Sequence, residues 1–178
     1  KQLRTRANYR LGFDGERFVG EELSSLIVLG FEIYHDVPFD GFNIDHVIVG
    51  PRGVFIVETK TRRKPLQDDG KKQYRVQFDG KVLRWPWGVD VHGVEQAKNN
   101  AKTLSAWLSS ATGEKVWTTP ILTLPGWLVD RKVPSEGFHV LNPKEIYQVC
   151  AAQPETLTDQ QVQRIIHQLN QKCRFEIT

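Results

Sequence analysis

The sequence predicts a mixed α/β domain, a central mixed β-sheet flanked by helices. Three observations point there. Two β-rich runs, 43–49 and 54–59, flank the turn signal Gly50-Pro51-Arg52-Gly53. A later segment, His92 to Ser109, carries an apolar stripe at helical spacing (Val94, Ala97, Ala101, Leu104, Leu108). The succession of patterns reads α-β-β-β, a hairpin insertion, then α-β-β-α-α, which a sheet covered by helices accommodates. The chain has 178 residues, 39% of them hydrophobic, with five Trp and nine Phe, which suits one compact domain with a real core.

Each element has its own signal. Residues 1–11 are polar and basic (Arg4, Arg6, Arg10) and read as a lead-in, so the domain proper spans 12–178. After Gly12-Phe13-Asp14-Gly15, the residues Phe18, Val19, Leu23, Leu26 and Ile27 recur at helical spacing, and Gly30 is placed to stop that helix. Phe31 to Val37 reads as a strand, and Pro38 to Phe42 as a connection containing Asp40-Gly41. Tyr74 to Phe78 and Lys81 to Arg84, around Asp79-Gly80, form a hairpin, followed by the aromatic loop Trp85-Pro86-Trp87-Gly88. Val116 to Leu124 and Phe138 to Leu141 are strands. Pro143 to Cys150 and Asp159 to Gln171 are helices, so a helical extension covers about 142–172.

Composition narrows the function classes. A net charge of +3 and a pI of about 8.9 permit a nucleic-acid partner without demanding one. No apolar run approaches the ~20 residues needed to span a bilayer. The chain contains no Met and begins Lys1-Gln2-Leu3, which reads as a fragment or processed piece. Cys150 and Cys173 lack zinc-ligand spacing and read as buried thiols of a reducing cytoplasm, with one long-range disulfide as the alternative. No Gly-x-Ser-x-Gly elbow and no phosphate-binding Gly-x-x-x-x-Gly-Lys-Ser/Thr loop occurs.

The central hairpin carries the chemistry. With Pro51 and Arg52 as tip residues, 49 faces 54, 47 faces 56, and 45 faces 58. Asp45 and Glu58 then become cross-strand neighbours, with Cβ atoms roughly 4.5–5.5 Å apart. Lys60 follows Glu58 by two residues and shares its face, next to the apolar Val47, Val49, Val54 and Ile56. Two facing carboxylates repel unless a proton, a cation or a metal compensates. Oxygen ligands of this kind suit Mg²⁺ or Mn²⁺. The alternative is an edge ion pair, Glu58 with Lys60 or Asp45 with an arginine. His46 falls on the opposite face from Asp45 and reads as a packing or hydrogen-bonding histidine. Glu16 has a plain alternative too, since an acid in a helix's first turn is favoured by the macrodipole.

The stretch Asn43-Ile44-Asp45-His46-Val47 … Gly53-Val54-Phe55-Ile56-Val57-Glu58-Thr59-Lys60 resembles the core of the nuclease-related domain (NERD) family, in the PD-(D/E)xK nuclease superfamily. Gly12-Phe13-Asp14-Gly15-Glu16 resembles that family's first motif, and Glu95-Gln96-Ala97 its glutamine motif. The similarity covers about residues 10–125. The resemblance implies a restriction-endonuclease-like αβββαβ core over about 12–125. It further implies that Asp45, Glu58 and the Thr59 backbone carbonyl hold a metal, Mg²⁺ or Mn²⁺. Glu16 would be a further ligand or would bind a metal water. Lys60 would orient the attacking water and stabilise phosphorane charge, and Gln96 would position substrate or water. The chemistry implied is Lewis-acid polarisation of a phosphoryl oxygen with a hydroxide nucleophile. Ile44-Asp45 stands where the superfamily usually has Pro-Asp.

The loop after Lys60 adds Arg62, Arg63 and Lys64, with Lys71 and Lys72 beyond, and such charges position a phosphate backbone without reading bases. Trp85 and Trp87 could stack on unpaired bases, or pack locally. No base-reading module is present. The expectation is therefore a metal-dependent endo- or exonuclease of low sequence specificity, acting on DNA rather than RNA, in the cytoplasm. The alternatives are a non-catalytic nucleic-acid-binding module and a membrane-proximal module tethered through whatever precedes Lys1, for which the basic lead-in would suit.

Overall fold

The computed structural model describes residues 2–65, 73–134 and 137–174. Helix α1 (Gln2–Leu23) runs into a 3-10 segment (Ser24–Leu29), followed by strands β1 (Glu32–Phe39), β2 (Phe42–Gly50) and β3 (Gly53–Thr59). Strands β4 (Arg75–Phe78), β5 (Leu83–Trp85) and β6 (Gly88–Asp90) precede helix α2 (His92–Thr112). Then come β7 (Thr118–Thr123), β8 (Leu128–Arg131), β9 (His139–Leu141), a short 3-10 turn (Pro143–Glu145), α3 (Ile146–Ala151) and α4 (Asp159–Arg174).

The main sheet has five strands in the order β1-β2-β3-β7-β9. Strands β1 to β3 are antiparallel neighbours, whereas β3–β7 and β7–β9 are parallel, so the sheet is mixed. The turn sets the register as its residues require: Gly50 pairs with Gly53, Val49 with Val54 and Val47 with Ile56. Both faces of β2 and β3 are covered, which is why their sequences are nearly continuous apolar runs. Ile48, Phe55 and Val57 pack with Val19 and Leu23 of α1 and Ile146 and Cys150 of α3. Val47, Val49, Val54 and Ile56 pack on the other side with Val94, Ala97, Ala101, Leu104 and Leu108 of α2 and with Val162, Ile165 and Leu169 of α4.

Several elements differ from expectation. The segment read as a hairpin insertion is a second sheet, β6-β5-β4-β8, in which the short β8 returns parallel to β4. β6 and β8, three and four residues long, carry too little alternation to announce themselves. β1 continues through Pro38, which pairs with Asn43. Proline is tolerated there because β1 is an edge strand. Trp85 is buried, Trp87 stacks on it at 5.2 Å, and Trp127 meets both edge-on. Trp85 is thus part of the second sheet's core, and Trp87, 52% exposed, has one face already occupied. Cys150 is a buried free thiol, its pKa pushed up to about 12 by burial, so no bridge joins it to Cys173. Among the described residues no helix is long and apolar enough to cross a membrane.

α1 starts at Gln2, so the basic lead-in is its first part and Gly12 and Gly15 lie inside it. Gly30 ends the 3-10 extension with φ 79°, as a helix stop should. A mid-helix glycine costs up to about 1 kcal/mol relative to alanine, so Gly15 needs a reason. A Cβ there would sit 2.0 Å from Thr61 Cγ2. Only glycine lets α1 approach the end of β3 this closely.

Gly15→Ala is therefore expected to destabilise the domain by about 1–2 kcal/mol, overpacking outweighing the gain in helix propensity. Thr61→Ser removes the opposing methyl and should recover most of the loss in the double variant, measured by urea unfolding. Additive effects of the two substitutions would refute the contact.

Candidate active site

Strand pairing fails around Asp45. On one side the register with β3 ends at His46↔Val57; on the other, His35↔His46 and Val37↔Ile44 are paired but Asp36 and Asp45 are not. Asp36 has φ 49°, a left-handed conformation. Alternation is broken on both strands at this point. Ile44 and Val47 lie in one apolar cluster, together with Val37, although three residues separate 44 from 47. The expected face-to-face pair of Asp45 and Glu58 is thus replaced by something tighter. The Thr59 N–H donates to Asp45 Oδ2 at 2.7 Å, and the Asp45 backbone amide helps hold the Glu58 pKa down. Asp45 thus takes up a backbone donor of the other strand where the ladder stops.

The break also decides which way each side chain looks. Asp45 lines a recess with Phe13, Glu16, His35, Asp36 and His46, between β1, β2 and α1. Glu58 and Lys60 line a second recess with Thr61, Arg62, Gly93 and Gln96, against α2. Asp45 and His46, expected on opposite faces, therefore share one recess, because the strand does not alternate between them. Thr59, placed between the two acids, lines the Glu58 side.

Glu58 is only 3% exposed. Asn100 donates to its Oε1 at 2.9 Å and Gln96 to its Oε2 at 3.2 Å. Burial pushes its pKa up, these donors pull it back, and Glu16 raises it further. Asp45 is pushed up to about 7, first by burial and then by the charge of Glu58, with smaller contributions from Glu16 and Asp36. Glu16 is itself raised by burial and by Asp36. Three carboxylates thus sit within electrostatic reach of one another at one end of the sheet. Glu16 lies deep in α1, far from the first turn, so the helix dipole does not account for it.

The neighbouring groups follow the same end of the sheet. His35 and His46 share a hydrogen bond between their Nδ1 atoms at 2.8 Å. Burial and the charge of His35 lower His46 to about 4, so it is neutral at physiological pH. Lys60 Nζ lies 2.7 Å from Asp90 Oδ2, and Arg62 reaches the same oxygen at 3.4 Å. Neither expected edge ion pair, Glu58 with Lys60 or Asp45 with an arginine, is the arrangement found; the acids are held by amides instead. Arg63 is exposed and Lys64 half-buried, while Lys71 and Lys72 lie outside the described residues.

Asn100 and Asp90 were not singled out by the sequence. Asn100 follows Gln96 by four residues on one helix, so the spacing could have found it. Asp90 is thirty residues from Lys60 and gives no local sign of its partner.

The donor set bears on a metal. Among the described residues, no three or more His, Cys, Asp or Glu side chains converge closely enough to hold an ion unaided. The chain offers Asp45 and Glu58, with Glu16 in electrostatic reach of both, a partial set of hard ligands. Mg²⁺ accepts such sets because it keeps several waters. On that chemistry the residues fit a hydrated divalent cation.

The family model described as nuclease-related domain (NERD) matches residues 11–125. No curated protein matches the chain. Among solved structures, SfsA of Pyrococcus furiosus in complex with Ca2+ is similar at 16% identity and a TM-score of 0.33, covering 93% of this chain and 54% of that one. The chain thus spans about half the length of that protein, and the likeness is too slight to bear on its fold or chemistry.

The raised carboxyl of Asp45 sets a pH dependence. Unfolded Asp45 ionises near 3.8 and native Asp45 near 7, so the native state binds the extra proton between those values. Its contribution to stability is present below pH 4 and is lost as pH rises towards 7, a loss of roughly 4 kcal/mol. In EDTA, Asp45→Asn should melt at a higher temperature than wild type at pH 8, with the gap closing near pH 4. A gap independent of pH would show that Asp45 is not held protonated.

Proposed function

We propose, from the premise that the chain belongs to the nuclease-related domain (NERD) family, that it is a divalent-metal-dependent nuclease hydrolysing phosphodiester bonds in DNA with little base-sequence specificity. The observation that carries this reading is the pair of acids at one end of the sheet, Glu58 buried and Asp45 half-buried, with the charge of Glu58 raising the Asp45 pKa and the Thr59 N–H held by Asp45. Burying two mutually repelling carboxylates is costly unless a cation takes up their charge. Asp45 and Glu58 would hold the ion together with the Thr59 carbonyl, and Glu16 would be a further ligand or would orient a water beside it.

When bound, Mg²⁺ or Mn²⁺ supplies Lewis-acid polarisation of a phosphoryl oxygen and acidifies water. The protein's own groups do the rest. Asn100 and Gln96 fix the Glu58 carboxylate, so its remaining lone pairs keep one direction. Gln96 acts through Glu58 rather than on substrate. The Lys60 ammonium, at the mouth of the same recess, orients the attacking water and donates to the phosphoryl oxygens as charge develops. Arg62, Arg63 and Lys64 follow Lys60 in the chain and grip the phosphate backbone. Phosphate contacts without base readers give affinity without sequence preference.

A second reading is a nucleic-acid-binding module that keeps the fold without cleaving. The lack of a three-acid cage among the described residues favours it.

Purified protein should cleave single- or double-stranded DNA in Mg²⁺ or Mn²⁺ and not in EDTA. Asp45→Ala and Glu58→Ala should fall to the EDTA background, and Lys60→Ala should lose about 10²–10³-fold in kcat. Cleavage unchanged in all three variants would assign the activity to a contaminant. Salt-sensitive DNA binding with no cleavage would favour the second reading.

A further inference from the structure

The position of Lys60 has a cause outside the motif that contains it. Its ammonium is 2.7 Å from Asp90 Oδ2, and the two side chains are only 13% and 16% exposed. At the surface such a pair would contribute little, but here both partners are largely withdrawn from water. Asp90 is fixed in turn. It ends β6, and its Oδ1 accepts the His92 N–H at 3.0 Å, at the start of α2. Burial works against its charge, yet Lys60, the His92 N–H and Arg62 keep its carboxyl below the usual carboxylate range.

Gly93 completes the arrangement. A Cβ at that position would lie 2.9 Å from Lys60 Cδ and 3.0 Å from Nζ. The lysine stem therefore runs across the first turn of α2 in space that only glycine leaves open. Gln96, one turn further along the same helix, donates to Glu58. The start of α2 thus sets both the lysine and the carboxylate that line one recess.

We propose that Asp90 is a positioning residue, and that together with Gly93 it forms a socket holding the Lys60 ammonium at the mouth of the Glu58 recess. The role in catalysis rests on the nuclease reading above; the socket itself does not. Arg62 shares the Asp90 oxygen, so the same carboxylate also anchors the first residue of the basic loop.

The test uses the full chain as wild type, Asp90→Asn, Asp90→Glu and Gly93→Ala, with thermal melts to establish that each folds. Trace acylation of lysines with peptide mapping reads the socket without reference to activity, and exposed Lys144 serves as internal standard. Asp90→Asn and Gly93→Ala should raise Lys60 labelling relative to Lys144 by about tenfold, equivalent to about 1.4 kcal/mol of lost restraint. Asp90→Glu should restore part of the protection. In the Mg²⁺ assay the first two variants should lower kcat by up to about 10²-fold, the cost of an ångström-scale misplacement, with KM for DNA unchanged. Lys60 labelling unchanged in both would overturn the socket. Raised labelling with kcat unchanged would overturn the positioning role. If wild type does not cleave, labelling still decides the socket, and the failure belongs to the nuclease reading alone.

Discussion

Carboxylates drawn into the end of an apolar sheet, Glu58 buried and Asp45 half-buried, are the constraint around which this domain is arranged. β2 and β3 enter the core as β-branched runs that pair in regular register, and the pairing stops where Asp45 and Glu58 arrive. A ladder that ends inside a protein leaves backbone N–H groups needing acceptors. Asp45 supplies one across the gap, to the Thr59 N–H. The acid thereby extends the sheet's hydrogen bonding, and the sheet holds Asp45 and Glu58 where their charges oppose one another. Asp36, in a left-handed conformation opposite Asp45, is the backbone's accommodation to that opening.

The helices on the two faces complete the site in different ways. α1 brings a further carboxylate, Glu16, and can do so only because Gly15 lets it lie against Thr61. α2 brings neutral donors, Gln96 and Asn100, to the same Glu58, one to each oxygen. Amide donors stabilise the carboxylate without neutralising it. The ammonium of Lys60 is directed to Asp90 instead of to the acids. Lys60 is therefore ion-paired with Asp90, and no ion pair joins it to Glu58 among the described residues.

Much of this was legible in the chain. The Gly50-Pro51-Arg52-Gly53 turn fixes a register that a one-residue slip would have scrambled, and the observed pairs follow it. The stripe on α2 locates its buried face, and the order of elements gives the mixed sheet. What escaped was non-local or irregular. The change of face at Asp45 depends on Asp36 of the neighbouring strand, whose left-handed backbone no periodicity reveals. The start of α1 lay hidden in residues too polar to show an apolar stripe. β6 and β8 are too short to carry a pattern. Asp90, at the end of β6, pairs with Lys60 across thirty residues, a contact that no local pattern announces.

If Asp45 and Glu58 are jointly a divalent-cation site, they should bind the ion whether or not a substrate is present. The direct measurement is titration of Mn²⁺ at pH 8 into metal-free protein, followed by electron paramagnetic resonance of the free ion, with wild type beside Asp45→Asn and Glu58→Gln. Saturable binding by wild type that is lost in both variants is the predicted result. Binding of equal strength in all three proteins, or none in wild type, would contradict a metal centre at this pair.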